Sequence, residues 1–347
     1  MNKLWYLISL CGSLNLLLAL HWRGSWSFYP LLFTFVLLPL LELFLPVASG
    51  NLTEEQEASR KNDFYFDFIL WMSVPFQFIL LFIYLQTLQT TPLTTSELVG
   101  LTIAMGLSCG VLGINAAHEL GHRATPHEQV MARMLLSTSW YWHFTIEHNK
   151  GHHKNVATPI DPETSRLNES VYRFWIRSIV YSFLSAWHIE EQNAKREGYS
   201  AWSVKNEMIL ALILQMFFTL LIYWYFGTLA LVGFLCSALI GILLLETVNY
   251  IEHYGLNRKE IAPGRFEKVQ PYHSWNADHP ISRFFLFDLS RHSDHHYNAA
   301  RKYQILRHHE DSLQMPTGYP GMMLLCLIPR LWFRVMNPKV MKAKCHS

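Results

Sequence analysis

Cysteine is scarce in this chain and badly placed for pairing. The five are Cys11, Cys109, Cys236, Cys326 and Cys345, three of them inside apolar runs, and no C-x-x-C occurs. A disulfide framework, a zinc ribbon or an iron–sulfur module within the chain is therefore not expected. No Gly-rich dinucleotide fingerprint follows a strand, and there is no internal repeat or low-complexity tail. Charge is also sparse: 16% of residues are Asp, Glu, Lys or Arg, and a net charge of +2 is too small to point to nucleic acid.

What fills the chain instead is apolar. Hydrophobic residues make up 51% of it, in runs rather than dispersed. A membrane helix needs ~20 mostly apolar residues, and such runs are read at about 4–20, 28–47, 64–86, 98–117, 209–226 and 229–250. The expectation is an all-α integral membrane protein: one catalytic domain over 1–347 with six transmembrane helices and polar segments at 118–208 and 251–347. The basic residues orient it. With the N-terminus in the cytoplasm, only Arg23 of the 28 Lys and Arg falls in an outward loop. The loops near Thr87–Thr95 and around Gly227 hold none, a strong positive-inside pattern that puts both polar segments in the cytoplasm. Lys3 before an apolar run resembles a signal peptide, but no small-residue cleavage site follows near Gly12–Trp26, so the first run reads as an uncleaved span. Phe174–Ala186, broken by Arg177, reads as an amphipathic interfacial helix. Gly321–Phe333, with Pro329 and Arg330, reads as lying on the surface of the protein or membrane.

The polar segments carry the chemistry. His118-Glu-Leu-Gly-His122, Glu147-His148-Asn-Lys-Gly-His152-His153 and His292-Ser-Asp-His295-His296 are clustered, and His253 stands alone in Asn249-Tyr-Ile-Glu-His253. Residues four apart share a helix face, so His118 and His122 can meet one metal, as can His148 and His152. Divalent first-row metals take four to six ligands, so this number of imidazoles fits two ions; imidazole alone does not choose among iron, zinc, copper and nickel. His118-Glu119-x-x-His122 also matches the zinc peptidase pattern with Glu119 as general base. That reading needs one further ligand and leaves two histidine clusters without a use. Acidic residues adjoin a proposed ligand in each cluster: Glu119, Glu147, Glu252 and Asp294. Metal-bound imidazoles usually give their second N–H to such groups. Glu246, two turns before His253 and inside an apolar run, is either functional or hydrogen-bonded to a neighbouring helix. His273 and the pair His308-His309 are weaker, and neither is proposed as a ligand.

Taken together, His118-Glu-Leu-Gly-His-Arg123, Glu147-His-Asn-Lys-Gly-His-His153, Asn249-Tyr-Ile-Glu-His-Tyr-Gly255 and Arg291-His-Ser-Asp-His-His296 resemble the signature of the membrane alkane 1-monooxygenases. Ala157-Thr-Pro-Ile-Asp-Pro162, His273-Ser-Trp-Asn276 and Pro316-Thr-Gly-Tyr-Pro-Gly321 fit it too; Leu289-Ser290 and Tyr297 are minor departures. The resemblance covers nearly the whole chain. It implies a six-span enzyme of the bacterial inner membrane that turns n-alkanes into 1-alkanols with O₂. It further implies two non-haem irons on His118, His122, His148, His152, His153, His253, His292, His295 and His296, and electrons from a rubredoxin served by an NAD(P)H-dependent reductase. Alkyl-aromatic methyl hydroxylases and fatty-acid hydroxylases or desaturases are the nearest alternatives, though desaturases usually carry H-x2-H-H where His148–His153 is H-x3-H-H. An alkane offers only shape and burial for recognition, at roughly 0.8 kcal/mol per buried CH₂. The second apolar run has Thr34 among the larger Leu32, Phe33, Phe35 and Leu38. Thr34 either leaves room in a substrate slot or bonds its own helix backbone.

Overall fold

The computed structural model describes residues 3–344. Helices dominate, but the expected all-α character needs one correction, because two short strand pairs are present. Glu260–Ala262 pairs antiparallel with Arg265–Phe266, and Trp275–Asn276 pairs parallel with Leu313–Gln314. Pro263-Gly264 reverses the first pair, with Gly264 at φ 70, a left-handed conformation that favours glycine.

Among the described residues five helices are long and apolar enough to cross a membrane, where six were expected: α1 (Lys3–Trp22), α2 (Gly24–Leu43), α3 (Phe64–Thr90), α4 (Thr95–Gly121) and, after the polar-segment helix α5 (Val171–Glu197), the 47-residue α6 (Glu207–His253). Both last expected runs lie inside α6, which is not straight. Gly227 has φ 81 and ψ −175, and the rings of Phe218 and Phe234 are 5.7 Å apart. Sixteen residues of straight helix would separate them by ~24 Å. The chain therefore folds back at Gly227, giving two antiparallel legs, 207–226 and 228–253.

Two other boundaries moved for local reasons. α2 ends at Leu43 rather than near 47, because Leu45 precedes Pro46 and that position disfavours helix. Glu42 in its last turn accepts the Ser282 N–H at 2.6 Å, pinning the helix to the polar segment that follows α6. α4 starts earlier, where Thr94 and Glu97 form a capping box, and runs on to Gly121. Its wide turn over Cys109–Asn115 has the i→i+5 spacing that often marks functional sites. A side chain at Gly106 would strike Ile240 and one at Gly241 would strike Cys109, so α4 and the second leg of α6 approach as closely as small residues allow.

Apolar surface remains outside this bundle. Phe217 and Leu220 are 58% and 59% exposed, and Phe82 and Trp224 also face outward. Exposure of this kind suits a hydrocarbon surround rather than water. The segment 321–333 does more than lie on a surface. It joins α7 (Tyr319–Cys326) to α8 (Pro329–Lys344), with Pro329 opening α8. Met322 and Cys326, one turn apart on α7, and Trp332, Met336 and Val340, one turn apart on α8, bury against Tyr250 and Tyr254 at the end of α6.

Candidate metal centre

The elements that end at one level of the molecule bring the clustered histidines together. His118 and His122 leave the end of α4, and His253 is the last residue of α6. His148–His152 form a wide turn closed by the His153 N–H on the His148 carbonyl, and His292–Tyr297 is a short helix. Arg291, just before that helix, is wholly buried. It bonds Asp278 at 2.9 Å and the carbonyls of Leu306, Ala48 and Gly50, which fixes where the helix starts.

Nine imidazoles fall into two sets. His118, His122, His148, His153 and His295 form one; His152, His253, His292 and His296 form the other; within each, ring nitrogens lie within 4.8 Å of one another. The split does not follow the sequence clusters. The wide turn puts His153, five residues on, beside His148 and swings His152 into the second set, although His148, His152 and Glu163 also make an overlapping group. Likewise His295 joins the first set, while His292 and His296, one turn apart, join the second.

The nitrogens face each other as ligands around a shared centre would. Nε2–Nε2 separations are 2.9 Å for His118–His295, 3.0 Å for His148–His153 and 3.2 Å for His253–His292. With metal–imidazole bonds of ~2.0–2.1 Å, two ligands at right angles sit ~2.9 Å apart. The Nε2 atoms of His122, His152 and His296 are buried without any hydrogen-bond partner, a costly arrangement unless something else occupies their lone pairs. Burial, then neighbouring imidazoles, pushes His148, His153, His292, His295 and His296 well below the usual histidine range. His122 falls to about 3 through burial, His152 and Arg123. Neutral imidazole is the form that binds metal. His152 differs: burial alone would lower it, but Asp161, 2.9 Å from Nδ1, holds it above the usual value. The donor set thus fits two cations.

The acidic residues beside the ligands take varied places. Glu252 approaches His292 Nε2 at 3.2 Å and accepts the Tyr319 hydroxyl at 2.6 Å. Glu119 pairs with Arg123 at 2.7 Å and accepts the Tyr303 N–H, Asp294 takes His309 and the Arg307 N–H, and Glu147 accepts the Ser185 hydroxyl. Glu246 accepts the Tyr141 hydroxyl at 2.8 Å. Two further carboxylates beside the second set are ones sequence reasoning passed over: Asp161 at 2.9 Å and Glu163 at 3.8 Å from His152. In sequence they bracket Pro162 soon after the second cluster, a spacing that matches no metal-ligand pattern.

An apolar cavity meets the two sets. Thr34, Phe35, Leu107, Val111, Leu244 and Phe285 line its membrane-side walls, and His118, His148 and His292 close the other end.

The model of the fatty acid desaturase family matches residues 94–321, a stretch that holds all nine imidazoles. The alkane 1-monooxygenase of Ectopseudomonas oleovorans is 41% identical over 87% of this chain and 75% of its own length. Alkane 1-monooxygenase 1 of Alcanivorax borkumensis is 39% identical over 92% and 80%. The chain belongs to the alkane 1-monooxygenase family. The hydroxylase component of a Pseudomonas putida xylene/toluene monooxygenase is also similar, 26% identical over 96% of the chain and 86% of its own length. Alkane 1-monooxygenases thus match this chain more strongly than that aromatic-substrate relative does.

Proposed function

We propose that this chain hydroxylates the terminal methyl of n-alkanes, giving 1-alkanols. The nine histidines would hold two irons, with O₂ as oxidant and a rubredoxin as electron donor. One observation carries the reading: a closed-ended apolar cavity whose end wall is made of imidazoles from both sets. When bound, the irons supply O₂ activation and insertion of one oxygen atom into a C–H bond. Two electrons and two protons accompany that step, and the second oxygen atom leaves as water.

The chain's own residues supply selection and aim. Each CH₂ moved from water into the cavity contributes roughly 0.8 kcal/mol, so binding strengthens with chain length. No polar group is needed on the substrate, and the polar wall is met by whichever end is inserted first. That end is a methyl. A second apolar groove, lined by Leu31, Leu32, Val36 and Ile240 among others, shares Phe35, Leu244 and Met323 with the cavity. It gives an alkane dissolved in lipid a sideways route in.

In this reading α1 to α4 and the two legs of α6 make six crossings of the bacterial inner membrane, and the metal centre lies on the cytoplasmic side where the basic residues are. A separate donor is needed because the chain has no C-x-x-C pair. The rubredoxin would be recharged by an NAD(P)H-dependent reductase. Arg265 and Lys268 are exposed on the cytoplasmic segment and suit an acidic partner, while Arg258 is occupied by the carbonyls of Lys154 and Glu267.

The test is metal analysis of purified protein together with product identification from octane and hexadecane. Two irons per chain and 1-alkanol, formed only when rubredoxin and its reductase are added, are expected. One zinc without iron, a 2-alkanol or alkene as main product, or turnover with NADH and no added protein would overturn it.

A further inference from the structure

A groove on the far side of α5 is unrelated to the cavity. It runs, open to the outside, between α5 and the loop 159–166 and is lined by Arg166, Arg173, Arg177 and by Ile160, Ile176 and Leu184. Its chemistry is divided by the helix. Tyr172, Ile176, Val180 and Leu184 follow one another at one-turn spacing and are 47%, 72%, 49% and 52% exposed. That is a row of large apolar side chains with nothing covering it. The arginines occupy the neighbouring rim. Arg177 is spoken for, by Glu169 at 2.8 Å and by the carbonyls of Pro162 and Thr164. Arg173 is exposed, and its guanidinium has no side-chain partner among the described residues; Arg166 shares only the field of Glu169. Asp161 also lines the groove, but its carboxylate is turned to His152 and Thr164.

The surroundings say what this surface meets. The Trp175 indole donates to Thr247 at 3.1 Å, and both residues line the outward apolar groove beside α2 and α6. Tyr172 donates to the Leu327 carbonyl at 2.7 Å on the same flank. The exposed row on α5 therefore continues the lipid-facing surface of the bundle. Beyond its end, Trp187 packs on Trp202, which is 77% exposed, as aromatic residues at a membrane boundary do.

We infer that α5 lies in the cytoplasmic boundary of the bilayer and that Arg166 and Arg173 bind the phosphate of an anionic phospholipid whose acyl chains lie along Ile176, Val180 and Leu184. Guanidinium forks match phosphate oxygens, and excess positive charge on the rim selects anionic over zwitterionic lipid. The inference rests on the membrane placement proposed above.

The experiment is native mass spectrometry of the full chain in detergent, titrated with phosphatidylglycerol or phosphatidylcholine of equal acyl length. Phosphatidylglycerol is expected to bind in preference. Arg166→Ala/Arg173→Ala should weaken it by about tenfold or more, the scale of a lost charge-assisted hydrogen bond, with phosphatidylcholine unchanged. The Arg→Lys pair should keep most of the affinity. Ile176→Asn, which leaves the charges alone, should weaken long-chain phosphatidylglycerol more than short-chain. Equal binding of the two lipids, an unaffected double-alanine variant of unchanged melting temperature, or displacement by inorganic phosphate at the same concentration as the lipid would overturn the site. Failure of the protein to enter phosphatidylcholine vesicles at all would instead overturn the membrane placement.

Discussion

The two imidazole sets differ less in their ligands than in what stands behind them. The first set has five imidazoles and only a distant carboxylate, Glu163 at 3.9 Å from His148 Nδ1. The second has four imidazoles, with Asp161 and Glu163 behind His152 on its Nδ1 side and Glu252 on the inner, Nε2 side of His292. Carboxylates that orient a ligand also raise its basicity. If each set holds an ion, the second position would hold its ion more firmly and stabilise higher positive charge, and the first would be the more readily changed. A pair of irons in this chain would be inequivalent.

The strongest way to break the comparison is to empty one set at a time. His122→Ala, in the first set, and His296→Ala, in the second, should each abolish alkane hydroxylation while iron falls from two per chain towards one. Full activity in either variant would remove that histidine from the centre. A loss of both irons from each variant would show that the sets are one cooperative site rather than two.

Removing a backing carboxylate sharpens the same contrast. Asp161→Asn keeps the shape around His152 and deletes the charge. Loss of an outer partner commonly costs about 10–100-fold in metal affinity, so iron should be lost from one position at chelator concentrations that leave the other filled. Glu119→Gln is the matching control. Glu119 is paired with Arg123 in the interior, and removing one partner of a buried pair costs ~3–5 kcal/mol of stability. A lower unfolding temperature with both irons retained is expected. Turnover lost at unchanged stability would instead put Glu119 in the chemistry, as the peptidase-like spacing of its motif would have it.

How much of this was legible follows from what each feature depends on. Helix positions depend on runs of local hydropathy, and those runs were visible; so were the eight clustered histidines, because their spacing is too unusual to be background, while His253, alone in its stretch, came with the family resemblance. Features made by contact between distant segments were not visible. Nothing in His148-Asn-Lys-Gly-His152 announces a wide turn, so the face shared by four-apart residues was assigned as in an ordinary helix. Gly151 leaves room in that turn for the Glu147 carboxylate, which a side chain there would overlap, a contact seen only once the chain is folded. Asp161 was within reach in sequence but carried no pattern. The reversal at Gly227 sat between two runs read as separate spans, and φ alone decides it.

The smallest expected effect concerns the far end of the cavity, and it tests whether shape alone sets the substrate. Thr34 lies on the cavity wall with Phe35, Leu38 and Leu107. Leu107 precedes His118 by eleven residues on α4, ~16 Å along the helix, and we propose that Thr34 lies towards that end. Thr34 also precedes Glu42, which anchors the C-terminal end of α2 at Ser282, by about two turns. A small side chain there leaves length in the slot. No hydrogen bond from the Thr34 hydroxyl to its own helix is present among the described residues, and we propose that it is the room it leaves that matters. Thr34→Trp should fill that end and spare the end that meets the metal centre. Across alkanes from C6 to C18, turnover of the longest should fall severalfold while the shortest keep near-normal rates, with iron content unchanged. A uniform fall at every length would mean that the indole disturbs the helix rather than shortens the slot. An unchanged profile would mean that long chains bend away from Thr34, along the shared wall of Phe35, Leu244 and Met323 towards the lipid-facing groove.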